Sequence, residues 1–377
     1  MKYQILHLSH TDIRYDSRIL KQLRVLNKDY SVLGIGIDSV EGEKREKSEE
    51  NFEIKSIKLQ SKKIKILPRL IKHLLNFIEL NLKLIKYIYQ VKPKVIHCHD
   101  TTVLPIVGIL SIFLDFKLIY DAHELESNRN GQGKIDSLLV LFTEKVFWDR
   151  VDALISVSES ILEWYAHNLG DKKSVLILNS PELRSYRQKP QEKYNYLREK
   201  FKIPQNSKIF IYLGIIGRGR SIENYLKVFG DPKINSSIVF MGYGELTSTV
   251  IEYSNNHSNI HYHLPVKHNE VVESILDADY GLCTIPNVSL SDYYCLPNKL
   301  FEYAFSGLNI LGSNFPEIEK IIKEYNLGYT CGVDIKSLKE FVNNVDSFEE
   351  KKHHNLSPLS WESQGIKLKE LYNSFDI

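Results

Sequence analysis

The stretch Leu296 to Gly307, LPNKLFEYAFSG, places residues for holding phosphate beside one for holding a sugar. Pro297 is expected in the first turn of a helix, where its missing N–H costs nothing. The amides that follow, beginning with Asn298, then lack intrahelical acceptors and carry the positive end of the helix dipole. Lys299 adds a full charge there, and the sum is an anion site suited to phosphate. Glu302 lies three positions on, on the same helix face. A carboxylate suits the two hydroxyls of a ribose better than a phosphate. The same letters also spell an ordinary amphipathic helix with a solvated Lys–Glu pair.

Other loops offer matching chemistry. GIIGRGRS carries Gly214, Gly217 and Gly219 with Arg218 and Arg220, whose planar guanidinium forks pair well with phosphate oxygens. GYGEL follows the apolar run Ile238 to Met241, and Gly242 and Gly244 there would admit close backbone approach. PVKHNEV presents backbone at Pro265 and Val266 that could read a flat base. Near the amino end, SHTDIRYDSR holds His10, Asp12, Arg14, Asp16 and Arg18 without glycine. It lacks the glycines of a dinucleotide fingerprint and suits a hydroxylated substrate, although capping by Asp16 or Ser17 explains those two alone. HCHD (97–100) and DAHELESN (121–128) each follow an apolar run. Alternation puts His97 and His99 on one side and Cys98 with Asp100 on the other, which scatters metal ligands, so no metal site is expected. His123, followed by Glu124 and Glu126, is the catalytic candidate, with a structural histidine as the alternative.

Strands alternating with helical patterns must position these loops, and the ligand is expected beyond the strands' carboxyl ends. At 377 residues two domains are expected. With 25% charged and 43% hydrophobic residues the chain is globular, neither disordered nor membrane-embedded. The polar stretch Glu182 to Pro204 reads as the connection, with a short helix near 194–201. The longest uncharged apolar segment, Val103 to Leu114, is too short to span a bilayer, and no signal peptide is expected at the start. Cys98, Cys283, Cys295 and Cys331 show neither metal spacing nor close pairing, so free thiols in the cytoplasm are expected.

Charge is uneven. Between residues 51 and 95 eleven Lys or Arg face two Glu, so a local +9 sits within a total of +2. Arg69, Lys72, Asn76, Glu79, Lys83, Lys86 and Gln90 form one polar stripe at helical spacing, preceded by Lys62, Lys63 and Lys65. Two readings stand: a core helix with one wet face, or a docking surface for anionic lipid head groups over Lys62 to Lys86.

Together DSRILKQL, YDAHELESN, GRGR, GYGEL, ILDADYGLC and above all LPNKLFEYAFSGLNILGSNFPEIEKII resemble the retaining glycosyltransferases of family 4. The resemblance implies an α/β chain of the GT-B class, with two Rossmann-like doubly wound domains facing a cleft. They would comprise residues 1–181, binding the acceptor, and 182–356, binding the nucleotide-sugar. A terminal helix at 357–377 would cross back to the first. It further implies that Lys299 and Arg218 hold the pyrophosphate, helped by Gly217, Arg220 and the amides around Pro297 and Asn298. Glu302 would hold the ribose, and His123 would contact the donor sugar near the reacting carbon. Gly242, Gly244, Pro265 and Val266 would complete the donor side. Asp12, Arg14, Arg18, Asp100 and Glu124 would lie on the acceptor side. Two positions depart from the family pattern. Tyr294 stands where many members have the first of two glutamates, and Arg220 where many have lysine.

Fixed cations and helix amides can carry the charge that grows on a leaving pyrophosphate without a metal. The expected activity is therefore metal-independent, cofactor-independent transfer of a sugar from a nucleotide donor, a UDP-sugar above others, to a hydroxyl with retention. The acceptor is expected on a lipid pyrophosphate of surface-polysaccharide assembly. The enzyme would be cytoplasmic and peripheral at the inner face of the plasma membrane, with no nucleic-acid partner. The rival readings are a nucleotide-sugar 2-epimerase of the same fold and an inactive sugar-nucleotide-binding subunit.

Overall fold

Runs of four to seven mostly apolar residues form two all-parallel sheets whose central strands are buried on both faces, which is why they read as nearly continuous hydrophobic runs. The computed structural model describes residues 2–38, 50–64, 68–182, 195–267 and 270–375. Two compact units result, Met1–Ile177 with Gly365–Ile377, and Leu178–Gln364.

In unit 1 the order along the chain is β1 (Ile5–Leu8), α1 (Ser17–Leu26), β2 (Val32–Ile37), β3 (Glu53–Ile57), α2 (Arg69–Val91) and β4 (Val95–His99). Then come α3 (Leu104–Leu110), β5 (Lys117–Ala122), α4 (Lys134–Phe147), β6 (Ala153–Ser156), α5 (Glu159–Leu169) and β7 (Lys173–Leu176). The sheet runs β3-β2-β1-β4-β5-β6-β7. Asp16 caps α1, accepting from the amides of Arg18 and Ile19, as its position before the helical run suggests. Right-handed crossovers from β3 onward place α2 to α5 on one face and α1 on the other. The strands are longer than their apolar letters. β4 runs through His99 and β5 through Ala122, so most of HCHD and the start of DAHE are buried strand rather than loop. Edge strand β3 carries Glu53 and Lys55 at alternate positions.

Helix α2 inverts its expected orientation. Leu80, Leu84 and Ile88 are buried, but Ile71, Leu74, Phe77, Ile78 and Leu82 are exposed. Polar Asn76, Glu79 and Lys83 turn inward instead. Glu79 accepts from the amides of Gln60 and Ser61 and from Lys83, which also donates to the Lys58 carbonyl. These hydrogen bonds hold the Glu79 carboxyl down at about 2 against the opposing pull of burial. The basic stripe is thus partly consumed by internal pairing. Lys65 lies outside the described residues, as do the side chains of Lys63 and Arg69.

Unit 2 comprises α6 (Tyr196–Phe201), β8 (Ile209–Ile215), α7 (Ile222–Phe229), β9 (Ser237–Tyr243), α8 (Thr247–Asn256), β10 (Ile260–His263) and α9 (Val271–Ser274). It continues with β11 (Tyr280–Cys283), α10 (Leu290–Tyr293), α11 (Asn298–Ser306), β12 (Asn309–Ser313), α12 (Pro316–Glu324), β13 (Gly328–Cys331), α13 (Ile335–Asn343) and the start of α14 (Trp361–Asn373). Helix α14 ends in unit 1, where Tyr30 donates to Asn373 and Gly365 meets Val25. The sheet runs β10-β9-β8-β11-β12-β13, so the order reverses between β8 and β11. Those two strands pair only at Phe210 and Ile211 before they diverge. Tyr303 of α11 fills the wedge. Its hydroxyl accepts from the Leu213 amide at 2.9 Å and donates to the Ile211 carbonyl at 3.2 Å. Its ring lies where a Cβ on Gly281 would sit, 2.2 Å away, so glycine is required there.

Tyr303→Phe keeps the ring in place but leaves the Leu213 amide without its acceptor, and should cost about 1–3 kcal/mol of stability. The check is a lower urea unfolding midpoint at unchanged m-value.

Candidate functional site

In unit 2 the strand ends at the reversal point open onto a cavity of about 200 Å³. It is lined by Leu213, Gly214 and Ile215 of β8, Met241, Gly242 and Tyr243 of β9, Pro265, Val266, Val271 and Glu302. Four of the expected donor-side residues thus meet here: Gly242, Pro265, Val266 and Glu302. Pro297 precedes α11 as its N-cap rather than sitting in its first turn, with extended backbone at φ −76°. Asn298 is then the first helical residue, and the Leu300 amide closes the first turn by donating to the Pro297 carbonyl at 3.0 Å.

Lys299 stands over the Tyr212 ring, its ammonium 3.9 Å from the centroid, a cation–π contact that fixes the charge. Burial pushes the Cys283 thiol up to about 12, opposed by the Lys299 charge. Burial likewise raises the Cys295 thiol, opposed by Arg220 and Lys299 together, so both cations act on the same neighbourhood. Arg218 is exposed, with its amide donating to the Glu245 carboxylate at 2.9 Å. Ser221, at φ 60°, and Tyr225 tie the end of this loop to the Thr284 carbonyl.

Gly242 and Gly244 have a different explanation from the one expected. A Cβ on either would strike a backbone carbonyl, that of Gly214 at 1.8 Å or Ile216 at 2.3 Å. They let β9 and the β8 loop close on each other, and Gly242 lines the cavity as well. Gly217 meets only ordinary contacts, so nothing in the fold demands glycine there. Tyr294 caps α10 and packs against Tyr293.

Unit 1 holds a second polar cluster. His7 and His97 are register partners on β1 and β4, and His99 and Asp121 on β4 and β5. His7 Nδ1 lies 2.9 Å from His99 Nε2, His99 Nδ1 lies 3.1 Å from His123 Nε2, and His97 bridges the Tyr372 hydroxyl and Asp121. Arg18 donates to Asp121 at 2.9 Å and to the Ile177 carbonyl, and Gln22 donates to Asp121 at 2.7 Å. Arg18 is therefore a buried counter-ion and not on the acceptor side, because Asp121 and the Ile177 carbonyl consume its fork. The expected scattering of metal ligands also fails. His7, His97 and His99, and likewise His99, Asp121 and His123, each offer one ligand atom within 4.8 Å of the others. Alternation describes one strand at a time, whereas the neighbouring strands supply the companions.

Asp100 sits at the mouth of this cluster with φ 61°, a strained conformation for a residue with a Cβ. Its carboxylate lies 3.5 Å from His123 Nδ1 and 3.7 Å from His10 Nδ1. Burial, then the Asp100 charge, pushes the Glu126 carboxyl well up. Asp12 and Arg14 pair with each other and Arg14 with Asp38, while Glu124 is half exposed, 3.9 Å from Arg129. Sequence reading missed His7, Asp121, Tyr212, Tyr303 and Tyr372. Only His7, in the first apolar run, carried a visible signal, a polar letter at a core position.

Residues 35–180 match the family model of Glycosyltransferase Family 4. The match covers this stretch and not the remainder of the chain. It spans most of unit 1, from β2 to just past β7. No curated protein matches the chain in sequence. Solved structures match over nearly the whole length. Sucrose-phosphate synthase from Thermosynechococcus elongatus is 14% identical, with 98% of each chain covered and a TM-score of 0.75. HepE of Anabaena, solved with UDP-glucose, is 10% identical over 99% of this chain and 100% of that one, with a TM-score of 0.75. An E. coli trehalose-6-phosphate protein bound with UDP-2-fluoro glucose is 9% identical over 98% and 95%, at 0.67. At such identities the likeness establishes the fold, which is GT-B with two Rossmann-like units.

Burial holds His7, His97 and His99 below the ordinary imidazole value of 6.5, with mutual repulsion adding to it and Asp121 opposing. Asp121 stays well below the usual carboxylate range, because Arg18 and the histidines outweigh its burial. The unfolded chain therefore takes up protons that the native state refuses, so stability is full above about pH 6.5 and falls below it. The urea midpoint should drop between about pH 7 and pH 5, and His7→Gln should flatten some of that drop.

Proposed function

We propose that the protein is a glycosyltransferase using a nucleotide diphosphate sugar, a UDP-sugar first among them, with its donor held in unit 2. The observation that carries this reading is the joining of a flat-walled cavity, a carboxylate (Glu302), a helix amino end and a fixed ammonium (Lys299) at the point where the strand order reverses. The base would rest against Pro265 and Val266, the ribose on Glu302, and the diphosphate on Lys299, Arg218, Arg220 and the amides of Asn298 and its neighbours. Gly217 would give the phosphate room. Relatives of the same fold solved with UDP-glucose and UDP-2-fluoro glucose support the choice of donor.

On the other side of the reaction, His123 is the half-buried end of the histidine row, with Asp100 beside it. In this reading it contacts the donor sugar near the reacting carbon, and Asp12, Arg14, Asp100 and Glu124 face the acceptor. The acceptor hydroxyl then attacks the reacting carbon from the leaving group's side as the bond to the diphosphate breaks. Lys299 and Arg218 stabilise the charge growing on the diphosphate, which takes the acceptor's proton, and the configuration is retained without a metal. The basic excess between residues 51 and 95 supports an acceptor hydroxyl on a lipid pyrophosphate.

UDP should raise the melting temperature, because it binds the native state alone. Glu302→Ala should weaken UDP binding roughly tenfold, the worth of a charged hydrogen bond. Lys299→Ala should slow transfer by about 100-fold or more. The decisive assay incubates protein and UDP-sugar with and without a membrane extract. Transfer that needs the extract supports this reading, a changed sugar without it means an epimerase, and UDP binding with no turnover means a binding subunit.

A further inference from the structure

The basic stripe does not explain the outer face of unit 1. Helices α2, α3 and α4 lie side by side on one face of its sheet, and their outer surface is apolar. On α4, Ile135, Leu138, Leu139, Phe142 and Val146 are between 51% and 75% exposed, at spacings of three and four that make one continuous stripe. Ile109 of α3 and Ile112 and Phe113 in the turn after it are exposed too, and α2 adds the exposed residues that turn away from its polar side. Unit 2 has fewer exposed large apolar residues among its described residues, with Ile215 and Tyr243 paired at the candidate donor cavity. Solvent does not tolerate so wide an apolar surface for nothing.

Charge identifies what covers it. Lys134 and Lys145 flank the α4 stripe, four positions from Leu138 and three from Phe142, and both are exposed. Exposed Lys86 lies four positions beyond Leu82 on α2. Among the described residues of α4 the exposed acid is Asp136, since Glu144 is buried against Tyr120 and Tyr165. A second copy docked through a twofold axis would set this basic rim against itself. An anionic lipid surface instead neutralises the rim and takes up the apolar stripe. No helix among the described residues is long and apolar enough to cross a membrane, so contact would be in the plane.

We propose that the α2–α3–α4 face of unit 1 docks in the interface of an anionic lipid bilayer, with Leu138 and Phe142 of α4 entering the acyl boundary and Lys134 and Lys145 meeting head groups. The inference deepens the lipid-linked acceptor reading, because it brings unit 1 to the surface where such an acceptor resides. It replaces a purely electrostatic docking over Lys62 to Lys86 with one in which apolar burial holds the protein after charge has recruited it.

The test is flotation of the full-length protein with vesicles of phosphatidylcholine alone or mixed with phosphatidylglycerol. Binding should require phosphatidylglycerol, and a large share should persist when salt is raised from roughly 0.1 M to 1 M, where surface charges are screened. The double substitution Leu138→Asp and Phe142→Asp should reduce binding at least about tenfold. An unchanged thermal shift with UDP would show that the variant is folded and its unit 2 intact. Failure of the wild type to float, equal flotation of the variant, or complete release by salt would overturn the proposal. So would a concentration-dependent dimer, lost in the variant, with no vesicle binding. UDP binding reports on the donor reading separately, so either can fail without the other.

Discussion

A parallel sheet whose strand order reverses must let a pair of neighbouring strands diverge, and the backbone groups this exposes still need partners. That constraint shapes unit 2. β8 and β11 share only two paired positions, and the Tyr303 hydroxyl supplies what the ladder withdraws. Because Tyr303 belongs to α11, the same contact that closes the gap also fixes the helix whose amino end carries Lys299 and whose first turns carry Glu302. The candidate donor site is thus held by hydrogen bonds that reach its wall at Leu213.

In unit 1 the strands at the reversal, β1 and β4, stay paired along all of β1. The unit's strand ends are lined by imidazoles and a carboxylate, buried among themselves and balanced by Arg18. Removing one partner of such a buried pair costs about 3–5 kcal/mol, because the other charge is left without compensation. Arg18 and Gln22 come from α1 and Tyr372 from α14, so two helices distant in the chain are committed to the strand carrying Asp121. The row ends at His123, where Asp100 accepts backbone strain to face it.

The two sides of the unit 1 sheet therefore do different work. The face covered by α1 and α14 is densely hydrogen-bonded around Asp121. On the face covered by α2 to α4, Glu79 and Lys83 are taken up by mutual and backbone pairing, and leucine, isoleucine and phenylalanine are left outside.

The linear order of residues was enough for the α/β class, the two-unit plan and the family resemblance, since continuous apolar runs alternating with 3.6-residue patterns have few other solutions. It also showed that Pro297, Lys299 and Glu302 crowd one helix end. It could not show which way α2 faces, because a helix with one polar and one apolar stripe looks the same whichever side meets the sheet. Nor could it show that His7 joins His97, or that Asp121 joins His99, because those partners share a register across strands separated by 90 and 22 residues. It singled out Gly242 and Gly244 for close backbone approach, but could not show that the carbonyls of Gly214 and Ile216 make that approach. Spacing along a chain reports neighbours on one element. Contacts across a sheet depend on register and on which face is covered, and those are settled when the whole fold balances its buried charges and hydrogen bonds.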